Sequence, residues 1–281
     1  MDTLVSTDWL ADHLDEVVVL DATVFLHPGG EGGYSAESGR ERWALGHIPG
    51  SRFADLIGEL CDSTSPYRFA VPTPEHFAAA MGRLGVGDDT DVVLYDDNGA
   101  MWAARVWWML RWAGHDRAAI LDGGMRAWRD ENRPLTADVS PPVAATMTPR
   151  PRPELIADKA EVMAAIADGA TCLIDSLGRA QYAGEQNTYG RPGHIPGAVN
   201  SPAFALLDRD TGRYKPLEEL AGRFPTDRSA RTITYCGGGI AASSSAFVAT
   251  RLGFEDIGVY TASLQEWTTD PDAPLVSGAN P

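Results

Sequence analysis

At 281 residues, 44% hydrophobic and 22% charged, the chain has the make-up of a globular protein and the length for two domains of ordinary size. A formal net charge of −16, with no long basic run, argues against nucleic acid or an anionic membrane as partner, and neither is expected. The N-terminal stretch lacks a basic segment followed by an apolar one, and no run of about eighteen apolar residues occurs, so neither a secretory signal nor a membrane span is expected.

Cys61, Cys172 and Cys236 are far apart and lack paired CxxC spacing. That argues against a zinc site and fits reduced thiols in a cytoplasmic protein. No metal or organic cofactor is expected.

In chain order, the same elements come twice. First, "VVVLDA" reads as a strand ending at Asp21, "GHIPGS" follows at 46–51, and "PEHFAAAMGRLG" has helical spacing. "DVVLYDDNGAMWAARVWWMLRWAGH" begins as a strand, and "AAILDGGMRAW" carries another strand toward Trp128. A proline-rich stretch without periodicity, "TADVSPPVAATMTPRPRPEL", covers 136–155 and reads as an extended linker. Beyond it come the helical "KAEVMAAIADG", the strand "TCLIDS" through Asp175, "GHIPGA" at 193–198, "RTITYCGGGIAASSSAFVATRLGF", and "DIGVYTASLQEW" to Trp267.

Alternating strands and helices predict α/β architecture: tandem duplicated domains, each a mainly parallel sheet flanked by helices. The expected boundaries are 1–137, a linker at 138–154, and 155–281. Aligned without a gap, the two copies place Asp96 opposite Cys236. Ligand sites in such sheets lie beyond the carboxyl ends of strands, and there one domain offers a carboxylate and the other a thiol.

"TITY" ends a strand, and a helix is expected from about Ala241 to Leu252, with Phe247, Val248 and Leu252 on its apolar side. Cys236 therefore falls at a strand-to-helix turn. Gly237, Gly238 and Gly239 permit positive φ and leave the backbone open, so their N–H groups and those of Ile240, Ala241 and Ala242 are expected to converge as an anion cradle at the helix N-terminus. The anion held most simply is the thiolate itself, a nucleophile near neutral pH. A phosphate loop is excluded because GxxxxGK[ST] is absent. A cysteine phosphatase would need an arginine six residues past the cysteine, where Ala242 stands. Cys61 and Cys172, without such a cradle, read as structural.

Taken together, the paired "GHIPG" segments, "RVWWML", "LDGGMRAW", "CDSTSPYRFAVP" and a cysteine loop confined to the second half resemble the two-domain rhodanese-like sulfurtransferases along nearly the whole chain. The resemblance implies that Cys236 takes sulfane sulfur from 3-mercaptopyruvate or thiosulfate as a persulfide and passes it to a thiol, cyanide or a thioredoxin-like protein. It implies that the first domain has lost its catalytic cysteine and shapes the cleft, with Asp96, Asp97 and Asn98 structural or at the cleft rim.

The loop departs from the family in two directions. Thiosulfate-type members carry Arg and Lys where Gly237 and Gly238 stand here. Mercaptopyruvate-type members have CGSGVT, whose serine and threonine positions are Gly238 and Ala241. The family histidine falls on Phe69, and its aspartate near Ile57 or Gly58, with Asp55 a poor substitute.

Family arginines ahead of the second "GHIPG" bind the substrate anion. One aligns on Gln181, which leaves Arg191 and, second, Arg179 as the expected substrate-binding residues. His47 and His194, repeated in both copies, read as structural, and Trp107, Trp108 and Trp128 as core or domain-interface packing. An alternative to the enzyme is a rhodanese-like binding or regulatory module with an inert thiol.

Overall fold

The computed structural model describes residues 1–29, 33–139 and 141–281. In the first half, β1 (Leu4–Val5), α1 (Thr7–Asp12) and β2 (Val18–Asp21) lead into a hairpin of β3 (Val24–Pro28) and β4 (Tyr34–Ser38). Then follow α2 (Arg40–Leu45), β5 (Arg52–Phe53), α3 (Pro74–Arg83), β6 (Val92–Tyr95), α4 (Met101–Trp112), β7 (Ala118–Leu121) and α5 (Gly124–Asp130). The second half runs β8 (Ile156–Ala157), α6 (Lys159–Asp168), β9 (Cys172–Asp175), α7 (Arg179–Tyr182), β10 (Ala198–Asn200), α8 (Leu217–Ala221), β11 (Thr232–Tyr235), α9 (Ile240–Arg251), β12 (Ile257–Tyr260) and α10 (Ser263–Trp267).

Each half folds into a five-stranded parallel sheet, ordered β1-β7-β6-β2-β5 and β8-β12-β11-β9-β10. Position by position the two orders are the same, as the internal repeat requires. The central strands are buried on both faces, which is why "VVLY" reads as an unbroken apolar run, and even the threonines of "TITY" are fully buried. The β3–β4 hairpin is antiparallel and lies outside both sheets.

The halves meet along α4 and α9. Trp107 sets its ring edge-on to Phe247 at 4.9 Å, and Trp108 Nε1 donates to Leu155 O at 3.1 Å. The small residues of α9 fit this contact: Ser243, Ser244 and Ser245 are fully buried, and their hydroxyls bond Gly239 O, Tyr214 Oη and Ser176 Oγ. The helix is therefore buried on nearly all sides, and its tryptophan-bearing partner fills the space its short side chains leave.

Between the halves the described residues of 137–152 form neither helix nor strand, yet the segment is pinned to the first domain. Ala145, Arg150 and Arg152 donate their N–H groups to Gly82, Ala113 and Trp112, and Met147 is buried. His47 and His194 occupy equivalent structural positions. Each ring nitrogen Nδ1 bonds a backbone oxygen, of Trp43 and Tyr182 respectively, at 2.8 Å, and each ring stacks on that same residue.

Candidate active site

Cys236 follows the last residue of β11, and α9 opens four residues later at Ile240. The Cys236 N–H donates to Ser263 Oγ at 3.0 Å, and that hydroxyl donates to Tyr260 O at 2.6 Å. The Gly239 N–H donates to Cys236 Sγ at 3.1 Å. The first turn of a helix leaves N–H groups without intrahelical acceptors; here those of Ile240, Ala241 and Ala242 precede the first helical bond, from Ser243 N–H to Gly239 O.

What such a turn holds is visible in the first domain. Asp96 follows β6 as Cys236 follows β11, and its fully buried carboxylate accepts four backbone N–H groups. Asn98 and Ala100 bond Oδ1 at 2.8 and 2.9 Å, and Trp102 and Ala103 bond Oδ2 at 3.0 and 2.9 Å. A carboxylate oxygen of aspartate lies as many bonds from Cβ as the outer sulfur of a cysteine persulfide. Trp102 and Ala103 are the second and third residues of α4, and their counterparts in α9 are Ala241 and Ala242. The loops are not matched without a gap, however. α4 starts at Met101, one residue later after Asp96 than Ile240 does after Cys236, and the copies shift register there.

Four groups from elsewhere account for the three glycines. A Cβ on Gly237 would lie 1.8 Å from Tyr189 Oη, and one on Gly238 would lie 2.0 Å from Gln265 Nε2. At Gly239, where φ is +79°, a Cβ would meet Thr261 O at 2.7 Å and Arg105 Nη1 at 3.0 Å. The space that loop side chains at Gly237 and Gly238 would need is filled by a tyrosine from the segment before the second "GHIPG" and a glutamine of α10. Gln265 also ties the domains together, accepting the Arg68 N–H at 3.0 Å.

The loop opens into a cleft of about 460 Å³ between the domains. Its walls are mostly apolar and aromatic: Leu26, Tyr34, Phe69, Trp102, Tyr189 and Phe204 among them. No histidine or carboxylate occurs among the described lining residues, and Arg68 is the cation there. Phe69, in the position of the family histidine, has φ +58° and sets its ring edge-on to Trp102 at 5.1 Å. Asp55 is occupied by the N–H groups of Ile57 and Gly58.

The expected substrate-binding arginines are not brought to this cleft. Arg191 donates to Asp270 O at 2.6 Å, Arg179 is exposed in α7, and neither lines the walls. Asp97 and Asn98 are structural, since Asp97 pairs with Arg129 at 2.7 Å and Asn98 Nδ2 donates to Val24 O.

Sequence reasoning missed Arg68, Tyr189, Gln265 and Arg105. Arg105 is fully buried, and its Nη2 donates to Phe69 O at 2.8 Å. A cation amid the apolar "WAARVWWML" was its signal.

A buried thiol at a strand end, faced by helix-opening N–H groups and roofed by the first domain, is an arrangement suited to cysteine-based group transfer. The Rhodanese-like domain profile matches residues 6–131 and 158–270. Mouse thiosulfate sulfurtransferase is 36% identical over 279 residues, covering 94% of this chain and 91% of the relative. Human 3-mercaptopyruvate sulfurtransferase is 35% identical over 278 residues, with the same coverage. The crystal structure of SseA from Escherichia coli, described as a 3-mercaptopyruvate sulfotransferase, superposes with a TM-score of 0.82 at 31% identity, covering 94% of this chain and 99% of that one. The chain belongs to the rhodanese family and is a sulfurtransferase with two rhodanese-like domains, transferring sulfur by way of a cysteine.

Proposed function

We propose that Cys236 is the sulfur-carrying cysteine and that its donor is a mercaptopyruvate-like monoanion in preference to thiosulfate. The observation that carries this reading is charge. The loop after Cys236 has no basic side chain, and Arg68 is the cation of the described cleft lining. A second negative charge brought into a largely apolar cleft is costly without a partner. One carboxylate finds its partner in Arg68, which takes the role expected of Arg191 and Arg179.

The thiolate attacks the sulfur of the donor thiol. An S–S bond forms, the donor's C–S bond breaks, and the electron pair leaves on carbon as the enolate of pyruvate. The thiol proton passes to that carbon, which leaves pyruvate and the Cys236 persulfide. The cradle of Gly237, Gly238, Gly239, Ile240, Ala241 and Ala242 receives the outer sulfur, chiefly on the Ala241 and Ala242 N–H groups, by analogy with Asp96. An acceptor thiolate then attacks that sulfur, the S–S bond breaks, and the Cys236 thiolate returns. Burial pushes the Tyr189 hydroxyl pKa up, so this group faces the cleft as a hydrogen-bond donor.

The acceptor is a small thiol, cyanide or a thioredoxin-like protein. Cys61, Cys172 and Cys236 are all free thiols, which supports work in a reducing cytoplasm. Among the described residues no helix is long and apolar enough to cross a membrane. Rapid-quench loading with each donor tests the reading: mercaptopyruvate is expected to load Cys236 at least tenfold faster per mole than thiosulfate. Faster loading by thiosulfate would refute it.

A further inference from the structure

The guanidinium of Arg105 is a cation of the first domain buried beneath the cysteine loop of the second. It is 0% exposed, and Nε and Nη1 have no hydrogen-bond partner among the described residues. Nη1 lies 3.0 Å from where a Cβ on Gly239 would stand, and the Gly239 N–H holds Cys236 Sγ. Nη2 bonds Phe69 O in the cleft wall. An isolated buried charge is strongly disfavoured, and such charges are kept where an opposite charge forms beside them.

We infer that Arg105 compensates the negative charge that Cys236 carries as thiolate and as persulfide, so that the domain without a counterpart to Cys236 supplies the electrostatic half of the site. This rests on the reading of Cys236 as the sulfur carrier. Burial lowers the Arg105 pKa to about 10, which leaves it a cation at neutral pH, and a charge on Cys236 acts in the opposite sense. The first domain provides the contrast. Asp96 has four N–H donors, and burial still raises its pKa. Backbone donors alone do not offset burial of an anion at that depth, and the cysteine loop has a cation in addition. Because Arg105 also holds Phe69 O, the charge and the cleft wall share one side chain. Arg105 is a positioning residue, acting from behind the loop.

The test compares Arg105→Lys with Arg105→Met, similar in length and different in charge, by the pH dependence of Cys236 alkylation with iodoacetamide, with Cys61 and Cys172 replaced by serine. Alkylation requires the thiolate and no sulfur donor, so its outcome is separate from that of the donor assignment. Tyr189, Tyr34 and Arg68 face the same site, and Asp175, on the strand beside β11, has a pKa raised by burial to about 7. The comparison is therefore repeated with Asp175→Asn.

In both backgrounds the half-maximal pH is expected to rise by about one unit in Arg105→Met, a tenfold slower reaction below that point, and to return most of the way in Arg105→Lys. If the methionine variant does not fold, Arg105→Gln takes its place. Superimposable profiles for the charged and neutral variants would overturn the inference and leave Arg105 a tether for Phe69.

Discussion

Replacing Gly237 by alanine tests the account of the glycine loop, because one methyl group is set against one identified side chain. The φ of Gly237 lies outside the left-handed region, so alanine meets no backbone strain there. The new Cβ would lie 1.8 Å from Tyr189 Oη, 2.0 Å from Cζ and 2.5 Å from Cε1. Ordinary carbon contacts need about 3.5–4.0 Å, so the ring must withdraw by roughly 1.5–2 Å. A rigid ring has no flexible end to swing away, and overpacking of this kind costs about 1–3 kcal/mol. In urea unfolding, Gly237→Ala is expected to lose that amount in the wild-type background and to be near neutral beside Tyr189→Ala. The interaction energy in the double-mutant cycle would then be about 1–3 kcal/mol. Equal losses in the two backgrounds would show that Tyr189 is not what the glycine accommodates.

Asp96→Ala leaves four buried N–H groups without their acceptor and is expected to cost about 2–4 kcal/mol in the same assay; a loss below about 0.5 kcal/mol would contradict the nest. Arg68→Ala is expected to raise KM for mercaptopyruvate about tenfold, whereas Arg191→Ala, whose guanidinium bonds Asp270 O, is expected to change KM less than twofold; the reverse ranking would return the substrate anion to Arg191. Burial raises the Asp175 pKa to about 7, so the folded state binds this proton more tightly than the unfolded chain. The stability that proton provides is complete below about pH 4 and is lost as pH rises to 7, so the stability of Asp175→Asn relative to wild type is expected to climb between about pH 4 and 7, by up to about 1.4 kcal/mol per pH unit, and to level off above. A pH-independent difference in urea midpoints would refute the shift.

The repeat was legible because it was carried by strands in the same order and by "GHIPG", whose histidine packs the same way in both halves. The thiol was legible because strand end, glycines and helix start are all local. The cleft walls were not local. Tyr189 reaches Gly237 across 48 positions and Gln265 crosses to Arg68 in the other domain, so neither has a signal in its own neighbours. Arg191 and Arg179 were chosen by nearness to a motif, and the chain turns Arg191 toward Asp270 instead. The gapless alignment also misled, since the single extra residue lies inside the loop, where glycines and small residues give no register. Arg105 stood in plain sight within "RVWWML", but its role depends on α4 packing against α9, a contact between helices of different domains.

The most direct test of the central claim is the intact mass of the protein after incubation with mercaptopyruvate and removal of the donor, beside the Cys236→Ser variant. The account predicts a gain of one sulfur atom in the wild type alone, lost again on addition of cyanide. An equal gain in Cys236→Ser, or none in either protein with mercaptopyruvate or thiosulfate, would contradict Cys236 as the carrier of sulfur from these donors.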